Sequence, residues 1–545
     1  MNMYDWLQAN RVRSGARTAF VTRDRDGERS LTWAELADRV EHVRGGLRDH
    51  GVRAADRVAL SLPNGSDLVA TLLAIVAEGA VTVVLPTPSG RRDAAYAERA
   101  LGIWDDCAPV LLVEDDEGRS RRAPFGRLAD VPATTPAELA VHDAVDDIPR
   151  VGADDIAFLQ YTSGSTKRPR GVVVTAEMLE ANCRQARSAY GDSSDDVAVT
   201  WVPLFHDMGL VTGLVRPLFS GYTSVLSPPM EFVSEPLSWL RTISENGATL
   251  SSAPDFAFAY CARKLRSDDL SGIDLSGWRV ARNAGEMVRA TTMDAFVSLT
   301  RAAGFRESAF CPSYGMAEAT LTVTATTPAE RPRRLSVDPG RLAVGDTVVP
   351  GSGSHELLSS GGAVAGTMVR AGATGAPEGV VGELHVAGPQ VSRAYFRSPM
   401  PRATDGALRT GDLGFVLDGH VFVLGRHDDV LVANGVNYFQ HDIALACASV
   451  PGIRPGRLAA FLDDREPSRS GVVVVAEVRA DADAGAMPAA IQRRVYEHVG
   501  LLVSRVEVAP PGSLPVTTSG KVRVTAVRAD YYDRTIVAQG EGAAR

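Results

Sequence analysis

The densest collection of phosphate-binding chemistry in the chain is Gln160-Tyr161-Thr162-Ser163-Gly164-Ser165-Thr166-Lys167-Arg168-Pro169-Arg170-Gly171. An apolar run, residues 156–159, precedes it, and the β-branched Val172-Val173-Val174 follows. Two strands therefore flank a loop too rich in Gly, Ser and Pro to be regular. Such a loop can wrap a polyphosphate. Backbone N–H groups and the hydroxyls of Thr162, Ser163, Ser165 and Thr166 donate, Gly164 lets the chain come close, and Lys167 or Arg170 adds charge. It is not a Walker A loop, because no Gly-Lys-Ser/Thr ends it. Nor does Ser163 or Ser165 stand in the Gly-x-Ser-x-Gly of a nucleophile elbow. On residue types alone, an ordinary polar hairpin accounts for the stretch equally well.

Four further positions carry groups suited to related chemistry, each with a plainer reading beside it. His206-Asp207 is a polar pair in an apolar setting; such pairs are usually structural, and no further ligands stand at a spacing that would make a metal site. In Pro312-Ser313-Tyr314-Gly315-Met316-Ala317-Glu318, Tyr314 can lie against a planar base and Glu318 offers a hard oxygen ligand for Mg²⁺. Taken singly, Glu318 reads as an exposed helix residue. Asp412 sits in the Gly-flanked turn Arg409-Thr410-Gly411-Asp412-Leu413-Gly414, ordinary turn chemistry or an acceptor for a pair of hydroxyls. Lys521, in Leu514-Pro515-Val516-Thr517-Thr518-Ser519-Gly520-Lys521, is by itself a solvated cation.

Alternating strands and helices must position these groups. Thr32 and Glu35 form a capping pair at a helix start. Residues 58–62 read as a strand closed by Pro63-Asn64-Gly65, 68–78 as a helix and 81–85 as another strand. This alternation implies a mostly parallel, layered α/β sheet. Residues 118–136 are polar, broken by prolines, and read as surface. Residues 331–379 turn to Gly, Pro, Ser and Arg with short apolar runs, which predicts small strands and hairpins around an inserted surface piece. Beyond residue 425, a strand at 472–478 and an amphipathic helix at 488–500 suggest a separate small α+β unit. At 545 residues the chain exceeds what one core usually supports.

Composition sets outer bounds. The net charge of −9 argues against a general nucleic-acid binder. The five cysteines are scattered, with no Cys-x-x-Cys pair, and read as reduced thiols of a cytoplasmic protein. No signal pattern opens the sequence and no apolar run reaches membrane-spanning length.

The loop at 160–171 resembles the phosphate-binding signature of the acyl-adenylate-forming superfamily, and the remaining motifs follow in that superfamily's order from about Ser30 to Val524. Leu159-Gln160, the absence of Gly after Thr166, and His206-Asp207-Met208-Gly209-Leu210 are similar to the fatty acyl-AMP ligase branch. The resemblance implies an N-terminal domain over 1–425, layered sheets with helices and a small β-rich subdomain, and a small mobile C-terminal domain over 426–545. It implies catalytic roles for Lys521, His206, Glu318 and Thr162, with Glu318 as the Mg²⁺ ligand. ATP would be held by 162–166, by Asn283-Ala284-Gly285-Glu286 along adenine, by Ser313-Tyr314-Gly315-Met316, and by Asp412 and Arg426 at the ribose and phosphate. Phe205, Met208, Leu210, Val211 and Phe256 would face the acyl chain, although plain core packing accounts for such residues too. Asp428 would be the hinge.

The chain departs from the family pattern at four places. Ala284-Gly285 replaces Gly-Ala, Met287 replaces Pro, Ala444 replaces Glu, and Val524 replaces Arg. An extra segment typical of the branch falls near 335–354, where it would hamper domain movement. The implied reaction joins a carboxylic acid to AMP and passes the acyl group to an acyl carrier protein, or to a carrier domain of a polyketide or nonribosomal peptide synthase. Three alternatives stand beside it: a CoA ligase, an enzyme acylating a nitrogen nucleophile, and an inactive nucleotide-binding scaffold.

Overall fold

The computed structural model describes residues 1–24, 27–87, 94–122, 131–145, 147, 151–161, 169–328, 330–353, 355–427, 430–433, 436–448, 450–463, 465, 471–517 and 521–533. Two large sheets dominate. The first has thirteen strands. Its centre is the parallel set Thr18–Asp24, Thr223–Leu226, Val197–Thr200, Leu250–Ala253, Val280–Asn283 and Phe310–Gly315, and antiparallel strands continue it from Thr322–Ala325 outward. The second has eight strands, with Ile156–Tyr161 and Gly171–Thr175 side by side and antiparallel. The expected strand pair around the glycine- and serine-rich loop is therefore present, with Tyr161 opposite Gly171. Residues 162–168 of the loop itself lie outside the described residues.

The local signals hold where burial supports them. Thr32 caps the helix Trp33–Asp49 in a two-way exchange with Glu35, satisfying backbone groups that a helix start leaves open. The strands Arg57–Ser61 and Val81–Val84 flank the helix Ser66–Ala77. Apolar side chains on these elements fill one core from Met3 to Val421. The segment read as surface, 118–136, behaves differently. Arg122 is buried against Glu114 in a two-pronged ion pair at 2.7–3.1 Å, and Ala133–Thr134 joins the second sheet beside Leu111–Glu114. A charge next to prolines looks solvated in sequence; its partner, eight residues away, draws it inward.

Past Arg426 a three-stranded sheet, Ile453–Asp463, Gly471–Val478 and Val503–Ala509, is covered by the helices Gln440–Ala448 and Met487–Val499. Its apolar core is built from residues between Leu431 and Val508. The segment near 335–354 begins and ends on a two-stranded sheet, Arg334–Val337 with His355–Leu358. It is less polar in effect than in composition: Leu335, Val337, Leu342 and Val348 pack with Phe415, Phe422, Leu424 and Phe439.

Candidate active site

The strand pair that carries the loop is tied to its surroundings at both ends. On one side Gln160 Nε2 donates to the Phe205 carbonyl at 2.8 Å, fixing the turn that leads into His206. On the other side Tyr395 lies in a short strand paired with Val172. Its hydroxyl donates to Glu318 Oε1 at 2.8 Å, and the Arg170 guanidinium stands 5.5 Å from its ring centre. Tyr395 carries no motif and was not singled out in the sequence; only its pairing partner reveals it.

His206 stands at the N-cap position of the helical turn Asp207–Leu210. Its Nδ1 is 2.6 Å from Asp207 Oδ1, and the Met208 N–H reaches the same carboxylate at 2.7 Å. An acceptor-only carboxylate at that distance requires the proton on Nδ1, which leaves Nε2 as the free face of the ring. Burial pushes Asp207 up, but the His206 imidazole and the Met208 amide outweigh it and hold the carboxyl below its ordinary range. The five apolar positions separate here. Phe205 is half-buried on the first core, Leu210 is fully inside that core, Met208 and Val211 belong to the aromatic core that follows, and Phe256 is 43% exposed against Trp201 and Phe232.

The turn after strand Val280–Asn283 is held from below. Asp255, fully buried, accepts from Asn283 Nδ2 at 2.9 Å, Arg289 Nη1 at 2.8 Å and Thr292 Oγ1 at 2.9 Å. Ala284 N–H bonds Ala253 O at 3.3 Å, and Glu286 accepts the Phe256 N–H at 3.1 Å. Gly285 has φ +80°, so the order Ala284-Gly285 puts glycine where a left-handed residue is needed. A side chain there would also meet Met208 Cε, 3.0 Å from where its Cβ would stand.

Lys521 arrives at the same turn. Its Nζ donates to the Gly285 carbonyl at 2.8 Å, across 236 residues. The lysine's own loop is closed by Thr517, whose N–H donates to Lys521 O at 2.7 Å and whose Oγ1 accepts the Lys521 N–H at 3.1 Å. Arg523 N–H bonds Pro515 O. These contacts hold the described part of the loop although Val524 replaces the usual Arg.

Tyr314, Asp412 and Arg426 form one cluster. The Tyr314 hydroxyl donates to Asp412 Oδ2 at 2.6 Å, and Arg426 Nε is 3.4 Å from Oδ1. Asp412 and Arg426 face each other on paired strands. Burial pushes the Asp412 carboxyl up; Arg426, the Tyr314 hydroxyl and Lys521 oppose it. Ser313 Oγ donates to Thr324 O at 2.7 Å and accepts from Arg282 Nε at 3.1 Å. At Gly315 a Cβ would stand 1.9 Å from Leu321 O, so only glycine permits that backbone approach. Met316 packs on the first core. Glu318 is pushed up by burial, and one of its oxygens takes the Tyr395 hydroxyl. A hard cation already bound to phosphates fits this donor set, since such an ion needs only one or two protein carboxylates. Among the described residues no group of three or more His, Cys, Asp or Glu could hold a metal by itself.

Contacts link His206, Met208, Gly285 and Lys521 into one group and Tyr314, Asp412 and Arg426 into another, while Glu318 bonds Tyr395. Thr162, Ser163, Gly164, Ser165, Thr166 and Asp428 lie outside the described residues. No described helix is long and apolar enough to cross a membrane.

A cation from the far end of the chain is thus set against a glycine turn, with an aromatic–carboxylate pair close enough for the cation to act on its carboxylate. The chain belongs to the AMP-binding enzyme family, whose model matches residues 7–396, and within it to the fatty acyl-AMP ligase branch. It is 32% identical to the Mycobacterium tuberculosis long-chain-fatty-acid–AMP ligase FadD28, over 93% of both chains. It is 30% identical to JamA of Moorena producens, a medium-chain-fatty-acid–[acyl-carrier-protein] ligase, over 98% of this chain and 95% of that one. A solved structure from work on the fatty acyl-adenylate ligases of E. coli and L. pneumophila superposes with a TM-score of 0.89 at 28% identity, covering 98% of each chain.

Proposed function

We propose that this protein joins a carboxylic acid to AMP and then passes the acyl group to the phosphopantetheine thiol of a carrier protein. In the first half an acid oxygen attacks the α-phosphorus of ATP, the α–β phosphoanhydride bond breaks, and pyrophosphate leaves. The acid is already a competent nucleophile, so the protein's task is alignment and neutralisation of charge. The observation that carries this reading is Lys521 at 2.8 Å from the Gly285 carbonyl, beside Met208 and the His206 turn. From there its ammonium reaches the point where acid, adenine turn and α-phosphate would meet. The loop at 162–166 would take the β- and γ-phosphates, Asp412 with Arg426 the ribose hydroxyls, and Tyr314 one face of adenine. Mg²⁺ carried by ATP would neutralise the phosphates, with Glu318 as its protein ligand. His206, its ring fixed by Asp207, would present Nε2 to the reacting acid.

For the second half, the segment near 335–354 packs on Phe439 and would restrict rotation of the chain beyond Arg426 about a hinge at Asp428. That restriction favours an acceptor that brings its thiol on a tethered arm over free CoA. JamA, with its acyl-carrier-protein substrate, supports the same acceptor. The test is acid-dependent pyrophosphate release from Mg·ATP, with acyl-AMP identified by mass. Formation of acyl-AMP is the expected result. ATP binding without pyrophosphate release for any acid overturns the reading in favour of a nucleotide-binding scaffold.

A further inference from the structure

We infer that the acid activated here carries a second carboxylate, held by the guanidinium of Arg282. Arg282 lies in the strand Val280–Asn283 and is 0% exposed. Its Nε donates to Ser313 Oγ at 3.1 Å, while Nη1 and Nη2 are buried with no hydrogen-bond partner. An arginine stays charged in a protein, and a buried charge with two unused donors is costly unless something pairs it.

The protein's own anions on this side are already engaged. Asp192 takes the other buried guanidinium, Arg216, through contacts of 2.6–3.0 Å. Asp207 is shared between His206 and the Met208 amide. The Tyr190 hydroxyl, also buried here, makes no hydrogen bond of ordinary geometry, although it stands near enough to the Arg282 guanidinium and Ser313 to act on both as a weak neighbour. Burial pushes the Arg282 guanidinium's pKa down, with Arg216 adding to that shift and Tyr190 and Asp207 opposing it. Two buried guanidinium groups thus lie on this side, with one carboxylate committed to Arg216 and the other to His206.

The site faces the reacting centre. Ser252 and Cys311 pair with Arg282 across adjacent parallel strands, and Thr200 lies in line with Ser252, one residue beyond the Ser251–Val199 pair. Side chains in such a row share one face of the sheet. Thr200 Cγ2 is 2.7 Å from where a Cβ on Gly213 would stand. The segment from His206 to Gly221 therefore crosses this same face. It is helical, with a widened π turn at Val211–Val215, a feature frequent at functional sites. Met208 and Val211 begin that segment. Arg282 is three residues from Gly285, at most about 10 Å along the chain. A short α,ω-dicarboxylic acid has the right form. One carboxylate would lie near Lys521 and the methylenes along Met208 and Val211. The other would sit bidentate on Nη1 and Nη2, the planar pairing that a guanidinium fork favours.

The inference rests on the adenylation reading only for which carboxylate reacts. The experiment compares straight-chain dicarboxylic acids of about four to eight carbons with monocarboxylic acids of equal length. It uses pyrophosphate release and, separately, calorimetric binding to wild type and Arg282→Leu. A site built to pair a polar group rejects an analogue lacking it strongly. We therefore expect kcat/KM for the best dicarboxylic acid to exceed its monocarboxylic counterpart on the order of 10²–10⁴-fold, with the preference reversed in Arg282→Leu. If Arg282→Leu does not fold, the wild-type ratio alone decides. Equal or better turnover of monocarboxylic acids overturns the inference and leaves adenylation standing. Dicarboxylate binding lost in Arg282→Leu, with no pyrophosphate release, upholds the Arg282 site and removes the adenylation reading. No dicarboxylate binding to wild type overturns the inference.

Discussion

The chain beyond Arg426 touches the first 426 residues in two very different ways. At the seam, Phe439 is 5% exposed among Leu335, Val337, Phe415 and Phe422. Gly425, at φ +137°, fits closely beside it, since a Cβ would stand 3.2 Å from the Phe439 ring. His441 stacks on Phe439 at 5.5 Å. At the other contact, exposed Lys521 reaches Gly285 through one hydrogen bond. Apolar burial is non-directional and scales with area, so the seam persists, whereas a single solvent-accessible hydrogen bond contributes little net stability. The contrast would suit a part attached at one end whose lysine could move at the other.

The largest expected effect breaks the weaker contact. Lys521→Ala should lower acid-dependent pyrophosphate release by about 10²–10³-fold while leaving the melting temperature within a degree or two of wild type (~2 °C,). Stopped-flow pyrophosphate detection and calorimetry read both quantities; unchanged turnover would contradict the role. Phe439→Ala breaks the stronger contact. It should cost about 3–5 kcal/mol of local stability, as removal of buried aromatic rings does. Faster proteolytic cleavage near 427 should report it, while turnover by the intact fraction falls less than in Lys521→Ala.

A smaller effect comes from pH. Burial, with Arg289 and His355 adding to it, lowers the His441 pKa to about 4. The folded protein therefore favours neutral imidazole. Its stability is full above the ordinary histidine value of ~6.5 and falls as pH drops from there toward about 4. Acid-induced loosening of the seam, followed by hydrogen exchange at residues 436–448, should weaken in His441→Phe. An identical profile in that variant would remove His441 as the cause.

Much of this site was legible in the sequence because its groups sit in local patterns. The strand pair around 162–168 and the Thr32–Glu35 cap need only neighbours to recognise; the turn expected at 409–414 is instead part of the strand Leu408–Leu417, because residues 412–417 sit in a ladder paired with His420–Arg426. Contacts between distant segments were not legible: Gln160 with Phe205, Tyr395 with Glu318, and Asp255 under Asn283. Each is a polar pairing that only the folded topology brings within reach. Arg282 is an intermediate case. A charged residue in the run Val280-Ala281-Arg282-Asn283-Ala284 is at odds with a strand buried on both faces, and that mismatch was the available signal. The segment near 335–354 misled through composition, since its four core residues are spread among glycines and prolines.

Two-step transfer to a carrier thiol can be followed directly. The most direct measurement supplies wild-type enzyme with an acid it activates and Mg·ATP. Acyl transfer is then followed by intact-mass spectrometry, in parallel, to CoA and to a panel of phosphopantetheinylated carrier proteins. Acyl-carrier formation with little acyl-CoA is the expected result. Efficient acyl-CoA formation would contradict it and make this enzyme a CoA ligase; acyl-AMP that reaches neither acceptor would point to a nitrogen nucleophile.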